Sequence, residues 1–210
     1  WAARIWASIF WLIGGAALFL VARDMTSVDG GVIALAFYLF LPFGVVASRS
    51  FQPDPKLVMW IVVTWWLFYR WYQAPTWKGA IFAGLSAGMA MLTNSVVGSV
   101  FVRARVAHLS VGFGIKKTLR RPQIWVIAGL AALPMVAFTL YGLWMLELGE
   151  QFGGRFFPQL LEDPAHYIKW LNEVLKIMTF PWLLGGVLGM LTFKESDQRA
   201  FVVGLWTGYG

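Results

Sequence analysis

The residues best suited to chemistry lie in one short loop between two apolar runs that carry no charge. The loop contains Arg49 and Asp54, and the runs on either side are 33–47 and 57–69. A carboxylate can transfer a proton, and a guanidinium binds phosphate through charge-assisted hydrogen bonds. In a membrane protein, such charges either mark the boundary with water or take part in chemistry. We interpret Asp54 as the candidate catalytic residue and Arg49 as a candidate substrate-binding residue.

Each of these residues also has a structural interpretation. Asp54 directly precedes Pro55, and Asp is a favoured N-cap residue, so we expect it to cap the next helix whether or not it is catalytic. Arg49 has the alternative role of an anchor at the membrane interface. His166 lies close to Asp163, but this set is too small to predict a metal site, and we assign no metal ligands. The sequence lacks a phosphate-binding Gly-rich loop, a His pair on one helix face and a Ser nucleophile elbow.

The composition is that of an integral membrane protein. Of 210 residues, 59% are hydrophobic and 13% are charged, and the charges are clustered between long uncharged stretches. A helix needs roughly 20 apolar residues to cross a bilayer, so the chain is predicted to be an all-α, polytopic transmembrane bundle of about seven to eight helices. The net charge of +7 fits Lys and Arg in cytoplasmic loops better than nucleic-acid binding, and the absence of Cys excludes thiolate metal sites.

The uncharged stretches set the expected helices. Pro42 is expected to kink helix B, and the Gly84-x-x-x-Gly88 spacing would let another helix approach closely. Helix E carries Arg103 and Arg105, which either face a protein or water interior or lie beyond an early end of that helix. The predicted helices are A (5–22), B (31–48), C (56–73), D (79–92), E (95–113), F (123–146), G (177–193) and H, which starts near residue 199.

The segment 164–176 is expected to be a separate amphipathic helix on the membrane surface. Its buried face would carry Tyr167, Leu171 and Leu175, with Lys169 and Glu173 in water.

Lys and Arg counts orient the bundle. Nine of these residues fall on one side of the expected spans and six on the other, which favours the first side as cytoplasmic. The loops 48–56 and 147–176 then share the outer face, where they could form one site. We expect residues 1–210 to form one transmembrane domain with an extracytoplasmic loop at 147–176. We also expect the sequence to be an excerpt of a longer chain, since it begins at Trp1 and ends within an apolar run.

Several segments together resemble the lipid-linked-sugar glycosyltransferases of the GT-C fold, in particular the protein O-mannosyltransferase and aminoarabinose-transferase types. They are the loop Ser48-Arg-Ser-Phe-Gln-Pro-Asp54, the helix end Tyr69-Arg-Trp71, the stretch from Gly84 to Leu-Thr-Asn94, and the segment 160–170.

The resemblance implies that a sugar leaves a polyprenyl-phosphate carrier and joins an acceptor on the outer face, with inversion. Asp54 matches a family acidic residue that helps to arrange the acceptor or a metal, and Arg49 matches an Arg that would hold the donor phosphate. Asn94 stands where the family often has a Lys and is the second candidate substrate-binding residue. The family's usual base is an Asp in an earlier outer loop, which this sequence does not contain.

The resemblance further implies a multi-pass protein of the bacterial inner membrane. Membrane lipid and the lipid-linked sugar donor would be its partners, and a divalent metal is one option for a cofactor. Two other functions stay open: a non-catalytic scaffold subunit that packs against membrane-protein partners, and a secondary transporter. The transporter is disfavoured because we find no convincing internal repeat.

Overall fold

The computed structural model describes residues 2–48, 53–94, 120–145, 164–193, 198–199 and 202–203. The regular elements in these ranges are all α-helices, which confirms the all-α class for this part of the chain. They are α1 (Ala2–Met25), α2 (Val28–Phe40), α3 (Pro42–Ala47), α4 (Asp54–Gln73), α5 (Trp77–Thr93), α6 (Pro122–Met145) and α7 (Pro164–Thr192).

Two helices, Arg4–Met25 and Pro122–Met145, are long and apolar enough to cross a membrane. Only 6% of the apolar window of the second helix is buried within the protein. Large side chains such as Leu133, Phe138 and Trp144 therefore point outward from α6. An exposed helix surface that is mostly apolar is unfavourable in water and suits hydrocarbon.

Four predicted helices, A, C, D and F, are found as α1, α4, α5 and α6, with each end within three residues of the expected position. Predicted helix E lies outside the described residues, as does most of helix H. The predicted helix B is divided in two. Leu41 adopts an extended conformation, with φ −58° and ψ 128°, and Pro42 begins α3. The residue before a proline avoids the helical region, so Pro42 breaks the helix here, where we expected a kink.

The segment 164–176 was wrongly predicted to be a separate surface helix. It is helical, but it continues without a break into the predicted helix G, and together they form the 29-residue α7. The side chains of Tyr167 and Leu171 are 50% and 44% exposed, and Lys169 and Glu173 are exposed as expected. A helix of this length extends about 44 Å, close to the full thickness of a bilayer with its headgroups. The change from polar to apolar composition therefore does not mark an end of the helix.

Two compact units divide the chain. The first comprises Trp1–Met135 with Glu195–Gly210, and the second comprises Val136–Lys194. The prediction of a single domain over 1–210 stays a prediction.

Within the first unit, α1 packs against both α2 and α4. A Cβ atom at Gly14 would lie 3.3 Å from the Cα of Met59. Further along both helices, the Tyr69 hydroxyl of α4 donates to the carbonyl oxygen of Asp24 of α1 at 3.3 Å. Both contacts join α1 to α4 in the same direction along the chain, so these two helices run parallel. Because α2 follows α1 after a short turn capped by Ser27, it runs antiparallel to both.

A second layer is formed by α5. The small residues Ala80, Ala83, Ala87 and Ala90 repeat at helical spacing and are fully or almost fully buried, in one cluster with Trp65, Phe68 and Trp71 of α4. Small residues allow close approach of membrane helices, so this alanine face seats the large aromatic side chains of α4.

The predicted close approach at Gly84 and Gly88 is confirmed, and the approaching helix is α6. Cβ atoms at these positions would lie 2.9 Å from the Cβ of Leu130 and 2.7 Å from its carbonyl oxygen. Trp71 of α4, which lies against Gly79 near the start of α5, donates from Nε1 to Oε1 of Gln123 near the start of α6, at 3.1 Å. The helices α5 and α6 therefore run parallel, and Asn94 and Pro122 lie at opposite ends of the bundle. This is the arrangement that the prediction of two spans within 79–113 requires.

Candidate functional site

The candidate site lies at the end of the first unit where α4 begins, and we call it the loop end, defined by Ser48, Asp54 and Asn94. α4 rises from Asp54 and α5 returns antiparallel to it, with Gly79 against Trp71. Extending that register places Asn94 about level with the first turn of α4. Asp54 and Asn94, which are 40 positions apart in the sequence, are thus brought to the same end of one helical hairpin.

Asp54 is the first residue of α4, and its side chain is exposed. The expected capping role is wrong, because Pro53 occupies the N-cap position and no side chain makes a capping hydrogen bond there. A carboxylate in the first turn still interacts favourably with the helix dipole, by about 0.3–1 kcal/mol. The carboxylate is exposed, and among the described residues neither a hydrogen bond nor an ion pair reaches it. A carboxylate oxygen is a hydrogen-bond acceptor, which is the property that binding of a substrate hydroxyl requires.

Asn94 ends α5. Its backbone is extended, with φ −152° and ψ 114°, and its N–H donates to the carbonyl oxygen of Ala90 at 3.0 Å. The side chain is exposed at the loop end. An amide offers both donors and an acceptor but no charge, so Asn94 can hydrogen-bond a substrate but cannot neutralise a phosphate.

Arg49 lies outside the described residues, and its predicted role stays a prediction. The residue before it is placed: Ser8 Oγ of α1 donates to the carbonyl oxygen of Ser48 at 3.2 Å. The chain therefore enters the loop from a fixed point beside the first turns of α1.

Sequence reasoning missed the residues that support this entry point. The rings of Trp11 and Tyr38 stack, with centroids 4.3 Å apart and planes at 13°. The Tyr38 hydroxyl is buried without a hydrogen-bond partner in the described part of the chain, so ring packing holds this side chain in place. Gly14 and Gly15 were an available signal, because glycine and other small residues are enriched where membrane helices pack closely.

The described residues contain no group of three or more metal-binding side chains. Within the described ranges, Asp54 supplies one carboxylate at the loop end. Mg²⁺ is commonly held by one or two carboxylates together with substrate phosphates and water, so this donor set fits a metal bound jointly with a phosphate-bearing substrate.

The two ends of the first unit differ in charge. The loop end carries the described cations Arg4 and Lys56. The opposite end has more cations in the described residues, partly offset by Asp24 and Asp29: Arg23, Arg70, Lys78, Arg120 and Arg121.

The comparisons with known proteins give the family. A model of the dolichyl-phosphate-mannose-protein mannosyltransferase family matches residues 1–141, which include α1 to α5 and nearly all of α6. No curated protein and no solved structure matches the chain. The match covers about two thirds of the sequence and the whole of the loop end. The chain therefore belongs to the dolichyl-phosphate-mannose-protein mannosyltransferase family, a group of multi-pass membrane glycosyltransferases of the GT-C class that use a lipid-phosphate-linked sugar as donor.

Proposed function

We propose that this protein transfers a mannose-type sugar from a polyprenyl-phosphate carrier to an acceptor at the loop end, on the outer face of a bacterial inner membrane. The proposal rests on the position of Asp54. Its carboxylate is exposed at the N-terminus of α4 and has no bonding partner among the described residues. It shares its end of the bundle with Asn94 and with the entry to the Arg49 loop.

The chemistry asks little of the protein beyond positioning. The bond between the sugar C1 and the phosphate oxygen breaks, the acceptor oxygen attacks C1 from the opposite face, and the acceptor proton passes to a base. The leaving group is already a stable phosphate, so one well-placed acid–base group, which contributes on the order of 10²–10⁴-fold, supplies much of what the reaction needs.

Each site residue has a role in this proposal. Asp54 accepts a hydrogen bond from the acceptor and so orients its oxygen toward C1, or holds a cation that bridges to the donor phosphate. Arg49 binds the donor phosphate, and Asn94 hydrogen-bonds the polar headgroup of the donor. The orientation rests on charge: cations concentrate at the end opposite the loop end, and cationic loops stay on the cytoplasmic side.

The test compares two aspartates. Asp54 and Asp29 both lie in the first turn of a helix and are both exposed, but they lie at opposite ends of the bundle. In membranes that contain the full-length protein, Asp54→Asn should lower sugar transfer from a polyprenyl-phosphate donor by about 10²-fold or more. Asp29→Asn should keep wild-type transfer, with equal protein levels in both cases.

Two other outcomes would reject the proposal. Full transfer by Asp54→Asn would mean that Asp54 has no part in the reaction. A wild-type protein that transfers no sugar from any lipid-phosphate donor, and that co-purifies with other membrane subunits, would support the scaffold function.

A further inference from the structure

The very short helix α3 leads into the loop end, and its position depends on α1. The last carbonyl groups of a helix lack partners within that helix, and leaving them unpaired in a membrane is costly. At the end of α3, two hydroxyl groups donate hydrogen bonds to carbonyl groups of this kind. Ser8 Oγ donates to the carbonyl oxygen of Ser48 at 3.2 Å, and Ser48 Oγ donates to the carbonyl oxygen of Val45 at 2.9 Å.

A second contact seats α3 on the same face of α1. A Cβ atom at Gly44 would lie 3.1 Å from Cζ2 of Trp11 and 2.8 Å from the carbonyl oxygen of Tyr38. Trp11 follows Ser8 by three positions, so both side chains lie on one face of α1. The close fit at Gly44 sets how near α3 lies to α1, and the Ser8 hydrogen bond fixes the position of its last residue.

The first turns of α4 also pack against α1. Gly14 lies less than two turns beyond Ser8 on α1, and a Cβ atom there would meet the backbone of Met59 at 3.3 Å. Met59 is little more than one turn after Asp54. The residue before the loop and the first turns after it are therefore both held by one stretch of α1, from Ser8 to Gly14.

We infer that Ser8 is a positioning residue for sugar transfer: its hydrogen bond to Ser48 fixes the entry of the loop relative to Asp54. This inference rests on the proposed function. Ser8 bonds a backbone carbonyl and acts through the loop, and we assign it no contact with substrate. Misplacement of reacting groups by a fraction of an ångström to 1 Å is enough to slow a reaction substantially.

The kinetic test uses three variants of the full-length protein. Ser8→Ala removes the hydroxyl, and Ser8→Thr keeps it. Ser86→Ala is the matched control, because Ser86 is also a helix serine but donates to Ala83 within its own helix, at 3.0 Å. With protein amount equalised, Ser8→Ala should lower kcat about tenfold and raise the KM for the donor, because Arg49, which is proposed to bind the donor phosphate, directly follows Ser48. Ser8→Thr and Ser86→Ala should both keep the wild-type kcat.

A second measurement does not depend on activity. The chain has no Cys, so a nitroxide can be attached to a single Cys introduced at Val46, an exposed residue of α3. Its electron paramagnetic resonance spectrum should show greater mobility in the Ser8→Ala background, whereas a nitroxide at the exposed Ile81 of α5 should be unchanged.

An unchanged spectrum at Val46 would overturn the inference, as would wild-type kcat in Ser8→Ala or failure of Ser8→Thr to restore it. If the wild-type protein transfers no sugar, the proposed function fails, and the spectra still decide whether Ser8 fixes the loop.

Discussion

The seam between α5 and α6 allows a quantitative test of the fold. A methyl group added at Gly88 would lie 2.7 Å from the carbonyl oxygen of Leu130 and 3.0 Å from Cγ of Pro134. The first neighbour is backbone and the second is a rigid ring, so neither can rotate away. A Cβ at Gly129, one residue before Leu130 on α6, would meet no atom within 4 Å. Gly88→Ala and Gly129→Ala are therefore the same substitution in two different steric environments.

The comparison isolates packing from helix propensity. Each substitution gains about 1 kcal/mol in intrinsic helix propensity, and this gain cancels between the two variants. Overpacking at Gly88 costs about 1–3 kcal/mol. For a chain of this size, that difference corresponds to a melting temperature roughly 3–10 °C lower for Gly88→Ala than for Gly129→Ala.

The melting temperatures should be measured by circular dichroism on detergent-solubilised protein. Gly84→Ala should also have a lower melting temperature than Gly129→Ala, since its Cβ would lie 2.9 Å from Cβ of Leu130. Equal melting temperatures for Gly88→Ala and Gly129→Ala would show that α5 and α6 do not meet as described.

Two further predictions concern the loop end. In a chain without native Cys, single cysteines at Gln52 and Gly154 should react with an impermeant thiol reagent on intact cells, and one at Lys78 only after lysis. Opposite labelling of Gln52 and Gly154 would exclude a site shared by the two loops. Because Asp54 makes no capping hydrogen bond, Asp54→Ala and Asp54→Asn should each lose only about 0.3–1 kcal/mol of unfolding free energy, from the lost charge at the helix N-terminus. Thermal denaturation measures this, and a loss confined to Asp54→Ala would restore the capping role.

Local sequence was sufficient to locate most of the helices. Uncharged runs of near-membrane length predict α1, α4, α5 and α6, because the hydrocarbon core sets how many apolar residues a helix needs. The glycine spacing at Gly84 and Gly88 predicts a helix contact, although it does not identify α6 as the partner. Pro42 was expected only to kink helix B, but the helix is broken there, because proline restricts the backbone of the residue before it.

Other features depend on information that local patterns do not contain. The end of the predicted surface helix at 176 was placed by composition, but a change from polar to apolar side chains leaves the backbone hydrogen bonds intact, and α7 continues. Asp54 was expected to be an N-cap, yet the helical conformation already begins at Pro53, with φ −67° and ψ −13°. The hydrogen bond from Ser8 to Ser48 depends on the register between α1 and α3, where Trp11 packs against Gly44.

The loop end offers few side chains suited to chemistry, so the contacts by which α1 holds neighbouring elements in place are important for the proposed function. Near one end, the Ser8 hydroxyl holds Ser48, and near the other, the carbonyl oxygen of Asp24 accepts a hydrogen bond from Tyr69. Between these points, Gly14 brings the backbone of α4 close to α1. In the proposed function, catalysis relies on one carboxylate and on the leaving ability of phosphate, so much of the rate must come from orientation. In this chain the described contacts that set such an orientation converge on α1, so substitutions on its buried face should impair transfer although they lie outside the loop itself.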